Sequence, residues 1–279
     1  MQSPSYDQGA VSLTADQVSV SYGAAPIVRD ADVALIPGGV TALIGPNGSG
    51  KTTLLRGMCR LAPEVTGRIA LDDADIAAFS PRQFAQRLTI LAQQRPTPTG
   101  LTVQEVVELG RHPHRRRLAR TDRGGAEAVA RALELAGGLQ ELAHRSVAEL
   151  SGGQLQRVWL AACLAQQTQV LLLDEPTTFL DLKHQMSLLD LIRNLAEAEG
   201  LTIGVVLHDL EQAADIADQV ILLSEGQVVA SGTPEEVMTS QRLTEVYGVT
   251  IHVDPLPEGG LGVRAERTGR RRFVPAASR

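Results

Sequence analysis

GGVTALIGPNGSGKTTLLRGMCRL, residues 38–61, sets a short aliphatic run against a glycine-rich turn and then a helix-favouring stretch. Within it, GPNGSGKTT (45–53) fits the pattern G-x-x-x-x-G-K-[ST], with Gly45, Pro46, Asn47, Gly48, Ser49, Gly50, Lys51 and Thr52 filling it and Thr53 next. Glycines at these positions let backbone N–H groups curl inward around a β-phosphate. A helix starting at the lysine adds about half a positive charge. Lys51 is placed to reach the β- and γ-oxygens, and the Thr52 hydroxyl to ligate Mg²⁺. An ordinary strand–turn–helix connection is the competing reading, but four fixed positions coincide by chance in only about one window in tens of thousands. The stretch therefore implies a bound nucleoside triphosphate between a buried strand and a helix head.

Strands and helices alternate outward from this point. Residues Val11, Leu13, Ala15, Val18, Val20 and Tyr22 follow a strand-like alternation at the start. VLLLDE (170–175) and LTIGVVLH (201–208) read as fully buried parallel strands. The first places Asp174 at the carboxyl edge of a sheet, where ligands of open α/β sheets collect, and suits it to a Mg²⁺ shell. Glu175 is then positioned to polarise water as a general base, and His208 ends the following strand. Ser80 and Thr102 open capping boxes in SPRQ and TVQE, and TPEE (233–236) caps a later helix. The helix 103–109 is expected to stop at Gly110 in a left-handed cap. Residues 102–166 read as helical throughout, an insertion in a parallel α/β core. ADQVILLSEGQVVASG reads as strand, turn, strand, and the tail from Glu258, with RTGRRRF, as loop and surface.

The 279 residues carry 26 basic against 32 acidic side chains, a formal charge of −6, which disfavours a nucleic-acid-coating role. MQSPSYDQGA shows no basic-then-apolar pattern, so no secretory signal is expected. No apolar run approaches the ~20 residues of a membrane span. Cys59 and Cys163 read as small core hydrophobes.

A second turn resembles a phosphate grip: LSGGQLQRVWLA, residues 150–161. With the glycine loop, the Asp174–Glu175 pair and His208, it resembles the nucleotide-binding subunit of ATP-binding cassette (ABC) transporters, over nearly the whole chain. The resemblance implies an α/β fold: a P-loop NTPase, RecA-like core with an N-terminal antiparallel β subdomain. A helical subdomain is inserted at about 97–166, within one ABC ATPase domain spanning 1–257, and a basic tail follows at 258–279. It implies ATP and Mg²⁺ as cofactors. Tyr22 is similar to the aromatic that stacks on adenine, and Gln93, preferred over Gln94, to the glutamine that senses Mg²⁺ and the attacking water. Leu180 and Asp181 resemble the loop that crosses to a second subunit, although bulky Phe179 stands where small or polar residues are usual. His208 resembles the histidine facing the γ-phosphate. Ser151, Gly152, Gly153 and Gln154 would cover the ATP held by a second copy, head to tail. One chain then carries two grips because it serves two ATP molecules.

LTVQEVVELGRHPH (101–114) and the terminal TGRRRFVP further resemble cassettes that energise uptake of ferric siderophores, haem or cobalamin. With a single cassette and no span, the resemblance implies separate membrane-spanning permease subunits and, indirectly, a substrate-binding protein. It also implies a peripheral position on the cytoplasmic face of the cell membrane and no nucleic-acid partner. RHPHRRR reads as a solvated basic turn. The rival readings are a metal-ion importer or exporter cassette, a soluble ABC ATPase of DNA repair or translation, and a non-catalytic binding module.

Overall fold

The computed structural model describes residues 10–23, 25–93, 95, 98–115, 122–257 and 259–266. Chain order runs β1 (Leu13–Ser21), β2 (Pro26–Ala34), β3 (Val40–Ile44), α1 (Lys51–Met58), β4 (Glu64–Leu71), β5 (Ala74–Asp75), α2 (Pro81–Ala85) and β6 (Leu88–Leu91). A helical stretch follows with α3 (Val103–Leu109), α4 (Gly125–Leu135) and α5 (Gly152–Ala165). The chain continues through β7 (Val170–Asp174), α6 (Leu182–Glu199), β8 (Thr202–Val206), α7 (Leu210–Ile216), β9 (Gln219–Ser224) and β10 (Gln227–Gly232). It closes with α8 (Pro234–Val237), α9 (Ser240–Tyr247), β11 (Ile251–Pro255) and β12 (Leu261–Ala265). No helix among the described residues is long and apolar enough to cross a membrane.

Two sheets organise the molecule. The N-terminal strands form an antiparallel sheet ordered β2-β1-β4-β5, and the second sheet is ordered β10-β9-β3-β8-β7-β6. In the latter β9, β3, β8, β7 and β6 run parallel, and β10 folds back antiparallel on β9. Continuous aliphatic runs become its central strands because helices or the other sheet cover both faces, and every residue of β3, β7 and β8 is buried. One apolar core holds Leu54, Leu55 and Met58 of α1 between the two sheets, with Leu13, Val20, Leu43, Leu172 and Val206. A second core fills the opposite face with α3, α5 and α6, around Val106, Val158, Leu188 and Ile192.

The expected capping boxes form: Ser80 with Gln83, Thr102 with Glu105, and Thr233 with Glu236. Cys59 and Cys163 are both buried free thiols.

Three expectations are corrected. Gly110 is right-handed (φ −59°, ψ −23°), so chain reversal is not its reason for being glycine. A β-carbon there would sit 1.9 Å from the Ala162 carbonyl oxygen, so close approach of α3 to α5 excludes any side chain. The tail from 258 is not simply loop: β12 pairs antiparallel with β11, so the boundary at 257 falls inside a hairpin. Gly259 (φ +96°) and Gly260 (φ +82°) make the reversal that lets Leu261 face Pro255. The basic run 267–273 lies outside the described residues.

Arg111 is the third correction. Rather than a solvated turn, its guanidinium is buried (4% exposed), paired with both oxygens of Asp122 and donating to the Ala165 carbonyl and the Gln167 amide oxygen. His114 Nε2 lies 2.7 Å from the Gln166 carbonyl. Arg82 and Gln86, on and just after α2, donate to the carbonyl of Pro113. The first half of RHPHRRR is thus a bolt between the core and the end of α5. Residues 116–121 lie outside the described residues.

The glycine loop is braced from remote segments. Gly226, in the β9–β10 turn, donates to the Ser49 carbonyl and accepts from the Arg29 amide, while the Arg29 side chain donates to the Glu225 carbonyl.

Candidate nucleotide site

Parallel register levels the strand ends, with Leu43 opposite Val206, Asp174 opposite Val206 and Leu91 opposite Leu173. The residues just beyond them therefore gather at one sheet edge: the glycine loop after β3, Asp174 and Glu175 at β7, His208 after β8 and Gln93 after β6. Five of the expected side chains are joined by direct contacts, Thr52 with Asp174, and Gln93 and His208 with Glu175.

Gly45 (φ +144°) and Gly50 (φ +101°) occupy backbone conformations closed to side chains, and a β-carbon on Gly45 would strike the Leu223 carbonyl at 2.1 Å. Gly50 leads directly into α1, whose first-turn N–H groups face the loop. Lys51 is buried and donates to the carbonyls of Gly45 (2.8 Å) and Pro46 (3.0 Å). Burial holds its amine below the usual lysine range, opposed by the negative charges of Glu175 and Asp174. Pro46 is half-buried, Asn47 and Gly48 are exposed, and Thr53 lies within the first turn of α1.

Thr52 Oγ1 donates to Asp174 Oδ1 at 2.7 Å. Burial raises the Asp174 carboxyl above its ordinary range, opposed by this hydrogen bond and reinforced by the charge of Glu175. Asp174 Oδ2 is buried with no hydrogen-bond partner. An orphaned carboxylate oxygen beside a threonine hydroxyl is the donor set a hard divalent cation takes.

Glu175 has φ +52°, a left-handed conformation that costs about 1–3 kcal/mol in a non-glycine residue and collects at functional sites. Its Oε1 lies 2.6 Å from His208 Nε2, and its Oε2 accepts from the Gln93 amide. Tyr22 is exposed just beyond β1. Gln94 lies outside the described residues.

The second grip lies on a different element. Ser151 caps α5: its hydroxyl oxygen accepts from the Gln154 amide N–H, and the Gln154 side chain accepts from the Ser151 N–H. The hydroxyl proton is left to donate. Ser151 and Gly152 are exposed and Gly153 is buried. Asp181 caps α6 through His184 and is exposed. Neighbouring Phe179 is 97% exposed at φ +67°. Sequence reasoning missed His184 and the Gln156 side chain, which donates to the Pro176 carbonyl, because neither carries a local signal.

Fold and site together define a P-loop nucleoside triphosphatase. The family model for ABC transporters matches residues 28–178. The ferric enterobactin transport ATP-binding protein of Escherichia coli (strain K12) is 42% identical, over 92% of this chain and 95% of its own length. The hemin import ATP-binding protein of Rhodococcus jostii (strain RHA1) is 40% identical over 92% of this chain and 87% of its own. Among solved structures, a metal-chelate type ABC transporter in an inward-facing conformation superposes with a TM-score of 0.79 at 25% identity, covering 93% of this chain and 98% of that one. A dimeric bacterial ABC transporter cassette gives 0.67 at 26% identity, covering 80% and 98%. The chain belongs to the ABC transporter family, as an ATP-binding ATPase with the ABC ATPase fold.

Proposed function

We propose that this chain is the ATP-hydrolysing subunit energising a membrane importer of ferric siderophores, working as a head-to-tail pair that closes around two ATP molecules. The observation that carries the ATPase reading is the contact set Thr52–Asp174 and His208–Glu175–Gln93 at one sheet edge. The siderophore reading is supported by relatives named for ferric enterobactin, iron(3+)-hydroxamate and petrobactin transport. Haem is the second reading, supported by two relatives named for hemin import.

Lys51 and the α1 N-terminus hold the phosphates, and Tyr22 offers a face to the base. Thr52, Asp174 and Gln93 would hold Mg²⁺, which supplies charge neutralisation on the phosphate oxygens. Glu175 orients water and receives its proton, and His208 fixes the Glu175 carboxylate and meets the γ-phosphate. Ser151 and Gly152 reach the partner's ATP. Gly152 has an unremarkable backbone and no atom within 4 Å of where a β-carbon would stand, so nothing in its own chain requires glycine there. A requirement from outside the chain accounts for it. The apolar surface of Phe179, Leu182 and Met186, 97%, 72% and 42% exposed, supports the same pairing. Permease subunits would seat the pair at the cytoplasmic face of the membrane, with a substrate-binding protein delivering cargo to them.

The test is uptake of labelled ferric siderophore, haem and cobalamin by cells carrying wild type or Glu175→Gln at the native locus. Loss of siderophore uptake alone is expected. Loss of haem uptake alone selects the second reading, and unchanged uptake of all three rejects both.

A further inference from the structure

The two signature glycines face different neighbours. Space beside Gly152 is open, but a β-carbon on Gly153 would lie 2.5 Å from Cδ2, 2.8 Å from Cγ and 3.1 Å from Nε2 of the His184 ring. The ring therefore lies flat behind the first turn of α5. Its Nδ1 is 2.7 Å from Asp181 Oδ1, the same oxygen that accepts the His184 backbone N–H at 2.9 Å. One imidazole thus touches the signature on one side and the Asp181 loop on the other. Gln156 to the Pro176 carbonyl and Arg157 to Ser187 Oγ continue the same seam between α5 and the segment from Pro176 to α6. A capping bond alone needs only the Asp181 carboxylate and a backbone N–H. It does not require a ring, nor a glycine on the opposite helix.

We propose that His184 is a positioning residue that sets the spacing between the signature and the Asp181 loop, so that both reach the partner subunit as one surface. Gly153 is glycine to admit that ring, and Gly152 is glycine for the partner's nucleotide. The proposal rests on the head-to-tail reading above, and it gives the signature an inward and an outward half. His184 touches no nucleotide itself.

The test uses the full chain carrying Glu175→Gln, with Gly153→Ala, His184→Asn, His184→Ala and the pair Gly153→Ala/His184→Ala added. Asparagine keeps a donor near the Nδ1 position and atoms near Cγ and Cδ2, so it still fills the space over Gly153, whereas alanine empties it. The ATP concentration for half-maximal dimerisation is followed by light scattering, and ADP affinity of the monomer reports the glycine loop. Gly153→Ala and His184→Ala should each raise the half-maximal ATP about tenfold, the equivalent of ~1.4 kcal/mol. His184→Asn should stay within about threefold of the parent, and the pair near the tenfold of either single rather than about a hundredfold, the non-additivity expected of groups in contact. ADP affinity should be unchanged in every variant. A pair impaired about a hundredfold, as independent sites would be, or normal closure by His184→Ala, overturns the proposal. If the Glu175→Gln parent itself stays monomeric with ATP, the head-to-tail reading fails, and thermal unfolding of the nucleotide-free chain then judges the ring contact. There, Gly153→Ala should lower Tm when His184 is present and have little further effect in His184→Ala, and independent effects reject the contact.

Discussion

His208 Nε2 stands 2.6 Å from Glu175 Oε1, while Gln93 occupies the other oxygen of the same carboxylate. With the backbone of Glu175 left-handed as well, the carboxylate is held by contacts on both oxygens and by its own main chain. A carboxylate so held still has lone pairs left to accept a hydrogen bond from water, and then its proton.

Glu175→Gln should lower the hydrolysis rate by about 10²–10⁴, the range for a lost general base, and His208→Ala should fall within the same range. ATP affinity should change little in Glu175→Gln, because Glu175 lies outside the glycine loop, and should weaken in His208→Ala, which loses its γ-phosphate contact. Single-turnover phosphate release with equilibrium nucleotide binding separates the two effects. Hydrolysis within tenfold of wild type in Glu175→Gln would assign the base elsewhere.

Asp122→Asn strands the buried Arg111 guanidinium and should cost roughly 2–4 kcal/mol, toward the low end because Asp122 is partly exposed. The hydrogen bonds from Arg111 hold the Asp122 carboxyl below its usual range. A depressed folded-state pKa stabilises above the unfolded value of ~3.9, and that stability is lost as pH falls through the folded value. The Tm gap between wild type and variant should therefore be full at neutral pH and narrow below about pH 4. A gap that widens on acidification contradicts the assignment.

Gly110→Ala and Gly152→Ala should behave oppositely. The first forces a methyl onto the Ala162 carbonyl and should destabilise by at least ~1–3 kcal/mol despite alanine's better helix propensity. The second adds a methyl to open space at the head of α5 and should leave thermal unfolding unaltered. Its defect should emerge only in ATP-driven dimerisation.

Phe179→Ala removes a ring that is 97% exposed, so monomer stability should stay within about 0.5 kcal/mol. Dimerisation with ATP should weaken by about 1–2 kcal/mol, roughly tenfold in half-maximal ATP. Unchanged dimerisation would remove Phe179 from the shared surface.

Much of this was legible from residues alone, for physical reasons. Glycine at positive φ, lysine at a helix head and a carboxylate at a strand end are local requirements, so Gly45, Gly50, Lys51 and Asp174 announce themselves. Capping boxes are local too, and Ser80, Thr102 and Thr233 were readable. Gly110 was identified as a helix end, but its reason lies 52 residues away at Ala162, beyond any window. Arg111 looked solvated for the same reason: its partners include the carbonyl of Ala165 on another helix. The β11–β12 hairpin did carry a signal, two glycines between apolar stretches, which the neighbouring basic run obscured.

The brace on the glycine loop also constrains the order in which a working molecule is made. β3 pairs with β8 and β9, and Ser49 is held by Gly226, so the loop at 45–52 depends on neighbours about 175 residues downstream. At ribosomal rates of 5–20 residues per second, some ten to thirty-five seconds separate synthesis of the loop from synthesis of its support. A nascent chain therefore displays its phosphate-binding sequence long before it has the framework to bind with it.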